Sequence, residues 1–200
     1  MILELIQKKL FIHREVKIMD TKISYKSTRF GKELEINVPY EELTRNKESY
    51  VKTIPYINIA IGFLSVFTFV SFISKNDKDF DPDIWMFWGV LLVISMAVYF
   101  IGREILWKVG LQNKTYLFFA KSIPNKEDVN QFIECLFKTR DKYLRETYFF
   151  EVTKNISYET QKNNLQWLRR IEAINATEFK EHKKILDGVF SLEAKKIGFN

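Results

Sequence analysis

The spacing of apolar residues changes several times along this chain, and each change marks a different kind of element. Residues 1–10 set Ile2, Leu3, Leu5, Ile6 and Leu10 beside Lys8 and Lys9, an amphipathic lead-in that lies on a bilayer surface or covers the domain that follows. From Leu10 to Val38 the period is two. Val16 and Ile18, then Ile23 and Tyr25, then Leu34, Ile36 and Val38 alternate with polar residues. This pattern predicts half-buried antiparallel strands. Turn residues separate them, Met19-Asp20-Thr21 and Arg29-Phe30-Gly31. Pro39, with no N–H to give a ladder, ends the third strand. Residues 40–49 are polar and read as a helical turn.

Two charge-free runs follow, residues 54–74 (IPYINIAIGFLSVFTFVSFIS) and 84–102 (IWMFWGVLLVISMAVYFIG). A helix needs roughly 20 apolar residues to cross about 30 Å of hydrocarbon. In lipid every backbone polar group must be satisfied within its own segment, so each run is expected to be a spanning helix, the pair forming a hairpin over 54–102. Asn58, Gly62 and Ser65 fall on one side of the first helix and are expected to form its seam against the second. Tyr56, Trp85, Trp88, Tyr99 and Trp107 suit the two membrane rims. The N-terminus lacks the apolar core of a cleavable signal, so the first helix is expected to be its own insertion signal.

Period two then resumes. Ile105, Trp107, Val109 and Leu111 alternate with Leu106, Lys108 and Gly110, Asn113-Lys114 marks a turn, and residues 114–121 read as another strand. After Ser122-Ile123-Pro124 a helix is expected, capped by Asn125, with Glu127 and Asp128 at its positive end. Val129, Phe132, Ile133, Leu136 and Phe137, extended by Leu144 and Tyr148, make one apolar stripe fit to lie on a sheet. Beyond a short extension (149–153) and a linker (154–157), residues 158–174 read as a helix with Leu165, Leu168 and Ile171 aligned and Trp167 beside them. Asn175 or Thr177 caps a second helix, about 177–187. Glu178, three past Asn175, favours Asn175; Phe179 and Leu186 align seven apart, and Gly188 serves as a stop. Helices this short, with one stripe each, cannot form a core alone. They must dock on this domain, on a second copy or on another protein, with Leu165, Leu168, Ile171, Phe179 and Leu186 as the contact.

Strands on both sides of the hairpin imply one antiparallel sheet domain, residues 1–53 and 103–150, interrupted by the membrane segment, because neither half alone buries its strands. The fold class is an α+β membrane protein: a two-helix hairpin inserted in a cytoplasmic sheet capped by a long helix, plus a C-terminal helical hairpin over 158–190. The strand ending SIPNKEDVNQF, the stripe within 118–137 and the earlier EINVPYEEL resemble the bacterial pleckstrin-homology-like domains of small membrane proteins. Five strands are legible where that fold has seven, which leaves a closed barrel and an open sheet capped by the helix as alternatives. The tail LQWLRRIEAINATEFKEHKKIL resembles the short C-terminal helical module SHOCT through Leu165, Leu168, Ile174, Thr177, Glu178, Phe179, Lys183, Lys184 and Leu186. It has Glu172-Ala173 where that family usually has a glycine. The likeness implies oligomerisation or partner contacts.

Charge adds an orientation. Arg45, Lys47 and Lys52 precede the hairpin, Arg103, Lys108 and Lys114 follow it, and the connecting loop sets Lys75 and Lys78 against Asp77, Asp79, Asp81 and Asp83. Both termini are therefore expected in the cytoplasm, in a multi-pass protein of the cell's inner membrane. The net charge of +6 is spread without a basic block, which suits an anionic leaflet better than nucleic acid. Arg45, Lys47, Lys52, Arg103 and Lys108 form the expected membrane-interface set.

Chemistry is sparse. The seven glycines form no phosphate loop, and one cysteine with two histidines makes no metal cluster. Cys135 reads as a half-buried filler, His13 as a strand residue and His182 as part of a solvated charged face. The aspartate-rich loop lacks the central glycine and distal glutamate of a calcium loop. No catalytic residue, cofactor or metal is expected. The reading is a non-enzymatic membrane-anchored scaffold or interaction protein whose partners are the lipid bilayer and a second copy or another protein. The alternatives are an oligomeric pore or transporter accessory subunit, and an anionic-lipid-binding module.

Overall fold

A computed structural model describes residues 3–77, 81 and 83–194. In chain order these form β1 (Glu4–Lys9), β2 (Ile12–Ile18), β3 (Lys22–Arg29), β4 (Lys32–Pro39), β5 (Leu43–Lys52), α1 (Ile57–Ile73), α2 (Ile84–Gly102), β6 (Glu104–Leu111), β7 (Tyr116–Ala120), α3 (Lys126–Tyr148), α4 (Tyr158–Arg170) and α5 (Ala176–Ala194). The chain is α+β. One sheet runs β1-β2-β3-β4, and the other β5-β6-β7. In the first, each strand is antiparallel to the next, with Lys9 opposite Ile12, Ile18 opposite Ile23 and Arg29 opposite Lys32.

Seven strands replace the five expected. The lead-in is a strand, β1, whose period was masked by Gln7: this polar residue occupies an inward position beside Leu5. Residues 40–49 are not a helical turn, since β5 begins at Leu43. Leu43 is its one buried residue, so β5 is polar along nearly its whole length and carries no alternation to read. In β6 the inward face shifts. Leu106 and Val109 are buried while Ile105 is exposed, against the expected alternation.

The described chain divides into two compact units, one of residues up to Glu48 and from Trp107 onward, the other of Ser49–Leu106. In the first, Val16, Ile23, Tyr25, Val109, Leu117 and Phe119 from the strands meet Val129, Phe132, Ile133 and Leu136 of α3 in one core. Gln7 seals an edge of it. Its side-chain amide donates to the carbonyls of Ala120, at 2.8 Å, and Ile123, while its carbonyl accepts the Ala120 N–H at 2.8 Å. The Tyr25 hydroxyl adds a second link between the sheets, donating to the Phe118 carbonyl at 3.0 Å. Asn125 caps α3 as expected, accepting the Asp128 N–H at 2.8 Å.

In the second unit α1 and α2 expose their apolar surface. Ser71 is the single buried residue on α1, and α2 has none. The seam is not the one expected. Asn58, Gly62 and Ser65 are exposed, while Ile57, Ile61, Leu64, Thr68 and Ser71 are shielded. Phe67 stacks on Trp88 with centroids 5.2 Å apart, and Thr68 lies against Gly89. Gly89 faces the Thr68 methyl group across the seam, whereas nothing approaches Gly62.

Candidate functional site

The C-terminal segment is where the structure concentrates polar chemistry. α4 and α5 bury Leu165, Leu168, Ile171, Ala173, Ile174 and Leu186 against Leu144 of α3, with Tyr143, Tyr148, Phe149 and Phe179 packed around them. Of the five expected contact residues, four are thus buried and Phe179 half-buried within the chain's own second core. The tail docks on its own domain. Gly188 does not stop α5, which runs on through it to Ala194. Asn175 does cap that helix. Its Oδ1 accepts the N–H groups of Thr177 and Glu178, both at 2.9 Å, and Glu178 reaches back to the Asn175 N–H at 2.8 Å. That is a capping box, legible in the spacing of Asn175 and Glu178.

Two arginines of α3 hold the turn between α4 and α5. Arg140 is fully buried. Its Nε donates to the Leu43 carbonyl at 2.8 Å, Nη2 to the Ile171 carbonyl at 2.7 Å, and Nη1 to Asp141 Oδ1 at 2.6 Å. One guanidinium thereby joins β5, α3 and the tail. Burial lowers its pKa and the Asp141 carboxylate opposes this; an arginine stays charged regardless. Arg145 donates from Nε to the Ala173 carbonyl at 3.0 Å and forms a two-point pair with Glu178 at 2.8 and 2.9 Å. The hydrogen bond from Arg145, aided by the Asn175 N–H, draws the Glu178 carboxyl below its ordinary pKa.

Neither arginine was singled out from the sequence, yet a signal for Arg140 exists. It stands four residues after Leu136 and four before Leu144, in the middle of the apolar stripe of α3. A charge there must find partners inside.

The connection from α3 to α4 is held by Gln161. Its amide donates to the Thr153 and Ile156 carbonyls at 2.7 and 2.8 Å and accepts the Thr153 N–H at 3.2 Å. At the β4–β5 corner Glu41 accepts both Tyr143 and Tyr148, at 3.1 and 2.8 Å. The second bond, with burial, pushes the Tyr148 hydroxyl up to about 12.

The expected membrane-interface set divides between the two units. Lys52 ends β5 and Arg103 follows α2, both in the hairpin unit. The other three belong to the sheet unit. Arg45 lies 3.5 Å from Asp141, and Lys108 lies 3.6 Å from Glu48 and 3.6 Å above the Tyr116 ring. Lys47 donates to Asn130 at 2.9 Å. Lys47 and Lys121 also set their ammonium groups 4.2 and 3.8 Å from the centre of the Trp107 ring. Burial lowers the Lys47 pKa, with Glu134 opposing and Lys121 adding to the effect. Trp107 is half-buried and packs against the core of the sheet unit.

His182 is not on a solvated face. It is half-buried, with its ring 4.1 Å from that of Phe149. Cys135 is half-buried and outside any disulfide, and His13 lies in β2. Among the described residues, no three His, Cys, Asp or Glu side chains gather where a metal ion could be held; Lys78 and Asp79 of the acidic loop lie outside those residues.

The fold and the tail interface define a class by architecture alone, an α+β chain with two helices apolar and long enough to cross a bilayer. No family model matches the chain, and neither the curated proteins nor the solved structures contain a match.

Proposed function

We propose that this chain is a non-enzymatic, membrane-anchored interaction protein of the inner membrane, with both termini and the sheet unit in the cytoplasm. One observation carries the reading: the two charge-free helices turn their apolar side chains outward. Eight large apolar side chains on α1 and nine on α2 are exposed. In water each, about half exposed, would forgo about 1 kcal/mol of burial. Together that exceeds the 5–15 kcal/mol by which a domain is ordinarily stable. Hydrocarbon removes the deficit.

The lengths agree. At about 1.5 Å per residue, the 20 residues Ile57–Asn76 rise roughly 30 Å and the 19 of α2 roughly 28 Å. The hydroxyls also suit lipid, since Ser65 and Thr68 donate to the carbonyls of Ile61 and Leu64, at 2.8 and 2.7 Å, within their own helix. Seven strands, with a long helix after the last, are the number that the pleckstrin-homology-like resemblance implies, and this supports that reading. The tail's first partner is its own domain, so contacts with other proteins fall to the exposed faces of α4 and α5.

Membranes from cells expressing the chain are washed with alkaline carbonate, and intact cells are probed with a membrane-impermeant thiol reagent on Lys75→Cys and Ser27→Cys variants carrying Cys135→Ser. The protein stays in the pellet, and only position 75 is labelled from outside. Release into the supernatant would refute anchoring, and labelling at position 27 would refute the orientation.

A further inference from the structure

One end of the first sheet is built unlike the other. There the β1–β2 turn (Lys9-Leu10-Phe11-Ile12) and the β3–β4 turn (Arg29-Phe30-Gly31-Lys32) lie side by side, because Ile12 is the register partner of Arg29. The Phe30 N–H donates to the Phe11 carbonyl at 3.0 Å, tying the two turns together. Their rings stack, centroids 5.4 Å apart and planes 23° from parallel.

These side chains are not core. Leu10 is 70% exposed, Phe11 64% and Phe30 69%. Turn chemistry does not call for them either. Leu10 and Phe30 have φ of 42° and 47°, a region that suits glycine or asparagine and that bulky side chains rarely adopt. Three large apolar groups therefore stand at a tip where solvent disfavours all three and the backbone disfavours two of them.

Their surroundings are cationic. Lys8, Lys9, Arg29 and Lys32 lie within two residues of the tip, and the Arg29 guanidinium sits 5.8 Å from the centre of the Phe30 ring. Glu33, next to Lys32 in the sequence, is engaged at 2.7 Å by Lys26. At the opposite end of the sheet the β2–β3 turn carries Asp20 and no aromatic ring.

We propose that Leu10, Phe11 and Phe30 form a wedge that enters the interface of an anionic lipid leaflet, with Lys8, Lys9, Arg29 and Lys32 as a collar binding lipid phosphates. An apolar tip ringed by cations is the composition that binds such a surface: rings enter at headgroup depth and lysines or arginines meet the negative charge. The proposal rests on the anchoring reading, since the hairpin is what tethers the sheet unit to a bilayer. It makes the sheet unit's membrane contact depend on leaflet charge, separately from the tether.

The full chain carrying Cys135→Ser and Leu10→Cys is labelled with an environment-sensitive fluorophore and reconstituted in phosphatidylcholine vesicles with or without phosphatidylglycerol. An Asp20→Cys variant reports the other end of the sheet. The expected result is a blue shift at position 10 in the anionic vesicles only, weakened by salt and lost on adding Phe11→Ser and Phe30→Ser, with no shift at position 20. Both phenylalanines are on the surface, so these substitutions spare the core.

An unshifted label at position 10, in vesicles where the protein still resists carbonate, overturns the wedge and leaves the anchor standing. Loss of carbonate resistance is the separate failure of the anchor. An equal shift without anionic lipid, or one that survives both serine substitutions, also overturns the proposal. A shift that follows protein concentration in detergent assigns the tip to a second copy and not to the bilayer.

Discussion

Arg140 shows how one side chain can couple parts of the chain far apart in sequence. Its guanidinium satisfies a carbonyl of β5 and a carbonyl at the end of α4, and both bonds are buried. Replacement by methionine leaves those acceptors without donors, at about 1–3 kcal/mol each. Arg140→Met is therefore expected to destabilise the sheet unit by roughly 3–5 kcal/mol, read as a lower urea midpoint with an unchanged slope. Early protease cleavage between α3 and α4 should accompany it. Arg140→Lys should recover only part of the loss, because one ammonium cannot span acceptors lying in two directions. An unchanged midpoint for Arg140→Met would remove the tail clamp from the account of stability. The Leu10 and Phe30 backbones work the other way, adding strain at an exposed tip instead of strength in a core.

At the scale of elements, what could be read from the sequence was whatever carries a single period. β2, β3, β4, α1, α2 and α3 each show one apolar face or one uninterrupted apolar run, and each lies where that pattern places it. β1 and β5 were missed for a physical reason. Gln7 is polar because it closes an edge by hydrogen bonding, and β5 is polar because one face of it meets polar neighbours such as Asp141 and Asn130. The hairpin seam was misjudged because small residues were assumed to face the partner helix. Depth of packing, not smallness, decides: a Cβ at Gly89 would lie 3.9 Å from the Thr68 methyl, whereas one at Gly62 would meet nothing within 4 Å. Gly89→Leu should therefore push α1 and α2 apart and lower the melting temperature of the detergent-solubilised chain by several degrees. Gly62→Leu should leave it unchanged. The reverse order would restore the seam through Asn58, Gly62 and Ser65.

At the scale of the molecule, the tail belongs to the sheet unit's architecture and is not a free appendage. Removing residues 158–200 would strip the cover from Leu144 and Tyr148 and take away the Ile171 carbonyl that Arg140 holds. An apolar cluster laid bare beside a buried, part-satisfied charge is a strong association hazard. The truncated chain should thus keep its hairpin, because α1 and α2 are untouched, yet its sheet unit should self-associate more than that of the full chain does. A tail built for oligomerisation makes the opposite demand, that truncation reduce assembly. Light scattering of the two solubilised forms at matched concentration separates these outcomes. A larger mass for the truncated form supports a tail that covers its own domain, and a smaller one gives Leu165, Leu168, Ile171, Phe179 and Leu186 back to a partner. Supplying the peptide 158–194 in trans should then bring the truncated form back toward the mass of the full chain, since the clamp donors on Arg140 and Arg145 remain in place.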